Sequence, residues 1–432
     1  MKSLFKKVVI ELLERESKAV LKKYKPKIVA ITGSVGKTST KDAINTVLSR
    51  FYLARASKKS FNSDIGVPLT ILDLPNGASS PIRWIKNLTE GLLLILLPNL
   101  YPEWLVLEVG ADHPGDIKKI GKWLKPDVVV VTALSEVPVH VEFFESPERL
   151  FEEKGELVKA LKSDGTLILN ADDRNVLNYK NLFEGKTILY GNNNVDADIS
   201  AKDYEVIYDE DDLPKGITFN IVAGEEMFPI YLSGTLGKHH TYHVLAALAV
   251  CKSLGEHLSV ASKGFKDHEP TPGRMRLLQG ANKSIIIDDT YNSSPIAVFE
   301  ALNSLNDLKK AKRKIAVLGD MLELGKYSID EHKKAGMKSS EVTDMLVTVG
   351  IRAKFIGESA VEAGMKDKDI RHFDDSKEAG EFLRDFIKAG DAVLVKGSQG
   401  IRMERIVEQI MMNPDEKEVF LVRQDKEWQG RL

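Results

Sequence analysis

The 432-residue sequence has one cysteine, Cys251, in an apolar helical run, which excludes an internal disulfide and suits a reducing cytoplasm. It has almost no net charge: 61 Lys and Arg oppose 63 Asp and Glu, for −2. With no long basic block either, nucleic acid is not expected as a partner. Long hydrophobic runs are also lacking. The most apolar window, Gly91-Leu-Leu-Leu-Ile-Leu-Leu97, is stopped by Pro98, short of the ~20 apolar residues a membrane-spanning helix needs. A cleavable leader is not expected, because Lys6 and Lys7 interrupt the first apolar residues and no small-residue cleavage site follows. Repeats and low-complexity tracts are absent. Apolar content of 43% and charged content of 29% are those of an ordinary soluble chain of two or three domains.

What the sequence does contain is a phosphate-binding loop. Ala30-Ile-Thr-Gly-Ser-Val-Gly-Lys-Thr-Ser-Thr-Lys41 follows an apolar strand, Ile28 to Ile31, and precedes a helical run through Leu48. Gly33 and Gly36 let backbone N–H groups turn inward, with Ser34 between them and Ser39 just inside the helix. Lys37 can reach terminal phosphates, and Thr38 is placed to hold Mg²⁺ between them. The pattern is a shortened variant, because the usual first glycine would fall at Ile31.

Around this loop the chain divides into three parts. Residues 1–26 predict an amphipathic helix with Leu4, Val8, Leu12, Val20 and Tyr24 on one stripe, closed by Pro26. Residues 27–268 predict a central domain in which strands at 28–31, 52–56, 104–109, 128–131 and 166–169 alternate with helices, giving a mainly parallel sheet. Residues 75–103 form an apolar insertion within it, and 187–232 read as a small appended antiparallel sheet. Pro270 and Pro272 mark the boundary to residues 269–432, where strands at 285–287, 315–318, 346–349 and 393–395 alternate with helices in a second doubly wound domain.

Strand-end residues of a parallel sheet line its ligand crevice, so Glu108 reads as a metal ligand. His140 and Lys154 taken alone read blandly, as a structural histidine and a lysine on a solvated helix face. Their context changes that reading. Phe61-Asn-Ser-Asp-Ile-Gly-Val-Pro-Leu69, Glu108-Val-Gly-Ala-Asp-His-Pro-Gly115, Gly155-Glu156, Asn170-Ala-Asp-Asp173, Gly273-Arg-Met275, Asp288-Asp-Thr-Tyr-Asn292, Leu318-Gly-Asp-Met-Leu-Glu-Leu-Gly325 and Lys396-Gly-Ser398 follow the phosphate loop in order. From about residue 27 to 410 the chain closely resembles the Mur ligases.

The resemblance implies an α/β fold: a P-loop central ATPase domain with a mainly parallel sheet, and a C-terminal Rossmann-like domain. It implies a cytoplasmic, ATP-dependent peptide ligase of cell-wall precursor synthesis, working through an acyl phosphate on small peptide and nucleotide-sugar substrates. The expected reaction joins D-Ala-D-Ala to a UDP-MurNAc-tripeptide-like acceptor. ATP would be held by the loop with Asn292, Asp289 and Arg274, and two Mg²⁺ ions by Thr38, Glu108, His140 and Lys154. Lys37, Lys154 and His140 would be catalytic, with Lys154 carbamylated, and Asn62, Asp320, Lys396 and Ser398 would face substrate. Alternatives are a folylpolyglutamate-like or pseudomurein-like Mur-type ligase, or a P-loop kinase or nucleotide switch.

Several positions depart from the family pattern. Only residues before Lys27 stand where the family has a uridine-binding domain. The Gly-Arg-His-Asn run is Gly237-Lys-His-His240, a later asparagine is His243, and the Lys-Gly-Ser-Arg run ends in Gln399. The spacer Val137-Pro138 displaces His140. The helix of 1–26 and the apolar helix near 91–97 are expected to pack on each other or on a second copy of the chain, with a peripheral membrane contact as the alternative.

Overall fold

Apolar runs with little polar interruption become the inner strands of two parallel sheets. The computed structural model describes residues 3–57, 59–425 and 428. Strands β1 (Lys27–Thr32), β2 (Ala54–Ala56), β3 (Trp104–Glu108), β4 (Val128–Val131), β5 (Thr166–Asn170) and β6 (Lys186–Tyr190) form one sheet in the order β2-β3-β1-β4-β5-β6. Every pairing in it is parallel. Because side chains alternate across a strand, β1 feeds two cores. Val29 and Ile31 pack with Ile44 and Val47 of the helix Lys37–Leu48 and with the apolar helix His240–Leu254. Ile28 and Ala30 join the opposite cluster with Val9, Leu13 and Val20.

The sequence reading placed Thr187 at the start of an antiparallel sheet. Strand β6 instead extends the parallel sheet beside β5. The antiparallel sheet comprises β7 (Ser200–Tyr208), β8 (Pro214–Ala223) and β9 (Glu226–Ser233). The third sheet runs β10 (Arg276–Gln279), β11 (Ile285–Asp289), β15 (Asp391–Lys396), β12 (Arg313–Gly319), β13 (Met345–Val349) and β14 (Ile370–Phe373) in space, with only β10 antiparallel.

Helices α1 (Ser3–Tyr24), α2 (Lys37–Leu48), α3 (Gly66–Leu72), α4 (Pro81–Leu96), α5 (Asp116–Leu124) and α6 (Pro147–Lys159) flank the first sheet. The buried stripe of α1 is Val9, Leu13, Ser17 and Val20. Over its first turns this is one residue out of register with the expected stripe, since Val8 and Leu12 are 47% and 36% exposed and the Leu4 side chain lies outside the described residues; Val20 is buried as expected and Tyr24 packs against the same cluster. Both registers satisfy a 3.6-residue period, and packing against α3 and α4 selects between them.

Helix α4 is capped by Ser80, whose hydroxyl accepts from the Arg83 N–H, and begins with Pro81 in its first turn. It turns Trp84, Asn87 and Gly91 inward. The expected pairing of the two helices occurs: Leu88, Leu94 and Ile95 of α4 pack against the cluster that holds Val9 and Leu13 of α1, while Leu92, Leu93 and Leu96 stay exposed. Glu16 of α1 lies so close to Gly91 that a Cβ there would sit 2.2 Å from Glu16 Oε2. Lys23 Nζ caps the far end of α4, donating to the carbonyls of Leu94, Ile95 and Leu97 at 3.1, 2.9 and 2.6 Å.

Burial raises the Glu16 carboxyl to about 7, and its Oε2 has no hydrogen-bond partner among the described residues. An acid with a raised folded-state pKa favours the folded state fully below its unfolded value, near 4.5, and that contribution is lost as pH rises through 7. Glu16→Gln is therefore expected to melt like the native chain at pH 4 and above it at pH 8. Equal melting temperatures at both ends would remove Glu16 as the source.

Candidate active site

The phosphate loop is shaped by two glycines. Gly33 has φ +145°, and a Cβ there would stand 2.0 Å from Thr132 Oγ1. Gly36 has φ +81° and caps α2 without a side-chain hydrogen bond, with His243 packed behind it. The first turn of α2 is thus left open to an anion. Lys37 folds back over the loop, donating to the carbonyls of Gly33 and Ser34 at 2.9 and 3.3 Å. Burial lowers its pKa, opposed by the charge of Glu108.

Thr38 donates to Glu108 Oε2 at 3.0 Å. Ser60 and Asn62 reach Glu108 Oε1 at 2.8 and 3.2 Å. Register explains the meeting, since Ile31 pairs with Glu108 and both strands end at the loop. Buried hydroxyl and carboxylate oxygens are the hard donors Mg²⁺ prefers, with phosphate and water completing its shell. Among the described residues no group of three or more His, Cys, Asp or Glu side chains could hold a metal, so such an ion depends on the phosphates.

Lys154, on α6, is 3% exposed and donates to the Gly33 carbonyl at 3.1 Å. Its pKa is held well below the ordinary lysine value by burial, and then by the charge of Lys37. Two lysines donate to this one carbonyl, which favours an anion nearby, and two buried donors here have no partner among the described residues: Ser34 Oγ and Arg274 Nε. These features fit a bound polyphosphate.

The C-terminal half closes the site. Arg274 stacks on Tyr291, 4.1 Å from the ring centroid, and donates from Nη2 to Thr38 Oγ1 at 3.3 Å. His140, at φ +71°, sets Nδ1 2.7 Å from Glu323 Oε2 and Nε2 3.6 Å from Asp112. The expected metal-side histidine therefore meets two carboxylates, one from each half.

The other expected residues stand further back. Lys396 is spent on Asp289 Oδ2 and the Asn292 carbonyl, at 2.6 and 3.0 Å, which ties β15 to the end of β11. Asp320 accepts from the Ala353 N–H at 2.7 Å, and Ser398 Oγ accepts from the Leu322 N–H at 2.9 Å. Neither is turned toward the loop by these bonds. Ser39 lines a cavity of about 20 Å³ with His240, His243 and His268, room for about one water. Burial, the first cause at each, holds the pKa of His240 and His243 well below the ordinary histidine value and lowers that of His268, which favours their neutral forms.

Ser60, Asp112 and Glu323 are site residues to which the sequence reading gave no role. Asp112 was visible four positions after Glu108, and Glu323 lay inside the LGDMLELG run.

A phosphate loop closed by a second parallel domain defines a two-domain nucleotide-using enzyme. Residues 31–82 and 89–251 match the Mur ligase middle domain, and residues 273–399 match the Mur ligase glutamate ligase domain. The chain belongs to the Mur ligase family and, as a member, is an ATP-dependent, ADP-forming ligase. It is 30% identical over 403 residues to the UDP-N-acetylmuramoyl-tripeptide–D-alanyl-D-alanine ligase of Bacillus subtilis (strain 168), covering 93% of this chain and 79% of that one. The Escherichia coli (strain K12) enzyme of the same name is 27% identical over 393 residues, 90% of this chain and 77% of that one. A crystal structure of MurF ligase from Thermotoga maritima in complex with ADP superposes with a TM-score of 0.74 and 27% identity, covering 93% of this chain and 83% of that one.

The loop contacts also carry an expectation about motion. If Arg274 and Glu323 hold the halves closed, then Glu323→Gln together with Arg274→Ala opens the chain in X-ray scattering, and an ATP analogue with Mg²⁺ compacts the native chain further. An unchanged radius of gyration for both would show that these contacts do not set the domain arrangement.

Proposed function

We propose that this ligase adds a D-alanyl-D-alanine dipeptide to the terminal carboxylate of a muramyl-tripeptide acceptor. Support comes from the relatives named for that reaction, which match over nearly the whole chain. The observation that carries the reading is the Arg274–Thr38 contact, which sets the second domain on the phosphate loop as a two-substrate ligase requires.

In the reaction, an acceptor carboxylate oxygen attacks the γ-phosphorus of ATP and ADP leaves, giving an acyl phosphate. The dipeptide amine then attacks the acyl carbon and loses a proton, and inorganic phosphate departs with the C–O bonding pair. Lys37 and Arg274 offset charge on the transferring phosphoryl oxygens. Thr38 and Glu108 would hold a Mg²⁺ ion, which supplies further charge neutralisation when bound. Asn62 and Ser60 fix the Glu108 carboxylate through hydrogen bonds. Lys154, as its carbamate, and His140 would hold a second Mg²⁺, since the carbamate offers a carboxylate-like oxygen where the ammonium would repel the ion.

The test is phosphate release with ATP and Mg²⁺, offering UDP-linked and UDP-free muramyl tripeptide with and without D-Ala-D-Ala. Release that needs both acceptor and dipeptide supports the proposal, and the better acceptor reports whether the nucleotide half is recognised. ADP formation without any amine, with the phosphoryl group kept on a stable acceptor and no phosphate released, would indicate a kinase.

A further inference from the structure

Helix α4 carries two apolar faces where an ordinary surface helix carries one. Its inner face is Trp84, Asn87 and Gly91. On the far side Ile82, Ile85, Leu92, Leu93 and Leu96 are exposed by 80, 61, 49, 47 and 66%. At 3.6 residues per turn these five fall within an arc of about 100°. Leu97 and Leu100 prolong the row past the helix end, at 55 and 83%. Val8 and Leu12, also exposed, lie two turns and one turn before Glu16, the α1 residue that meets Gly91. A contiguous apolar surface of this kind marks an interaction site rather than ordinary scatter.

Charge selects the occupant. Residues 3–25 and 81–100 carry nine Lys and Arg against four Glu, a net of +5 in a chain of −2. A two-fold contact with a second copy would bring this cationic face against itself. Alignment with the membrane normal is excluded by length: α4 is about 24 Å long, shorter than the ~30 Å hydrocarbon core. No helix among the described residues is long and apolar enough to cross a membrane. A helix lying flat, leucines down and lysines at headgroup level, satisfies both charge and length.

We propose that the exposed face of α4, with the adjoining edge of α1, docks this ligase on an anionic lipid bilayer surface. The rigid attachment of α4 matters here. The Lys23 cap and the Gly91 contact hold it to α1, and α1 joins the apolar cluster on one side of the catalytic domain's sheet. The docking surface is therefore preformed and does not require a segment to fold on binding.

The test is co-sedimentation of the full chain with phosphatidylcholine vesicles, with and without phosphatidylglycerol. Binding to the mixed vesicles, weakened by salt and by omitting phosphatidylglycerol, is expected. Leu93→Asp with Leu96→Asp should lower the bound fraction by at least about tenfold, with an unchanged circular dichroism spectrum and unchanged phosphate release in solution. Lys22→Glu with Lys86→Glu provides a second variant that leaves the leucines in place and should also reduce binding. No sedimentation of the native chain, or equal sedimentation of the leucine variant, would overturn the proposal. So would light scattering showing a dimer that the leucine variant converts to monomer.

Discussion

Lys37→Ala is expected to lower turnover by roughly a thousand-fold while the chain stays folded. The Lys37 side chain is half-buried on the phosphate loop, with no carboxylate in hydrogen-bond contact among the described residues. It donates only to two loop carbonyls, and burial has already lowered its pKa. Such a cation is poorly compensated in the nucleotide-free fold, so its removal should shift the melting temperature by no more than about 2–4 °C. Its stabilising role begins when the transferring phosphoryl group arrives. Phosphate release and a thermal melt of the same preparation check both halves of the expectation. A variant retaining more than a tenth of native turnover would disconnect this lysine from phosphoryl transfer.

The second large effect is expected at Lys154. Carbamylation needs a neutral amine, whose lone pair attacks CO₂ with loss of one proton. Burial and the charge of Lys37 hold the Lys154 pKa well below the ordinary lysine value, so the neutral form is accessible where an exposed lysine would be charged. The product is a carboxylate-like group beside Lys37, which replaces repulsion between two cations by attraction. Lys154→Ala should reduce activity about a hundred-fold, and added acetate or formate should restore part of it. Activity of the native chain should also fall when CO₂ is removed, most clearly at low pH where the amine is protonated. Carbon-13 NMR with labelled bicarbonate reads the carbamate directly. No carbamate signal, together with full activity in the alanine variant, would make Lys154 only a donor to the Gly33 carbonyl.

The parts of the fold that were legible are those set by local chemistry. Strand β1, the Gly33 and Gly36 turns and α2 follow from an apolar run, two glycines and a helical period, which are all contiguous. Glu108 was legible for a related reason: a carboxylate ending the fully apolar Trp104–Leu107 run falls at the end of a buried strand. Contacts across long sequence separations were not legible. Nothing near Arg274 indicates Thr38, and nothing near His140 indicates Glu323, because each pair forms only when two domains meet. Lys396 shows another long-range contact that its motif does not indicate. Its motif is expected to face substrate, and the parallel pairing of β11 with β15 puts Asp289 beside it, where the two charges pair. Helix α1 shows a third limit, since its apolar residues fit two adjacent stripes and only packing against α3 and α4 decides.

The two chain ends lie outside the family-matched stretches, yet both are built into the machinery. At the start, Val9, Leu13 and Val20 of α1 join the apolar cluster on one side of the central sheet, packed against α3 and α4. At the other end, Arg423 donates to the carbonyls of Thr290 and Tyr291 and pairs with the buried Glu404. It thereby braces the Tyr291 ring on which Arg274 stacks. Shortening the gene to residues 31–399 would strip that cluster at one end and loosen the nucleotide-side arginine at the other. For anyone expressing this ligase, both termini belong to the working unit, and fusion tags are better joined through spacers than placed against Ser3 or Arg423.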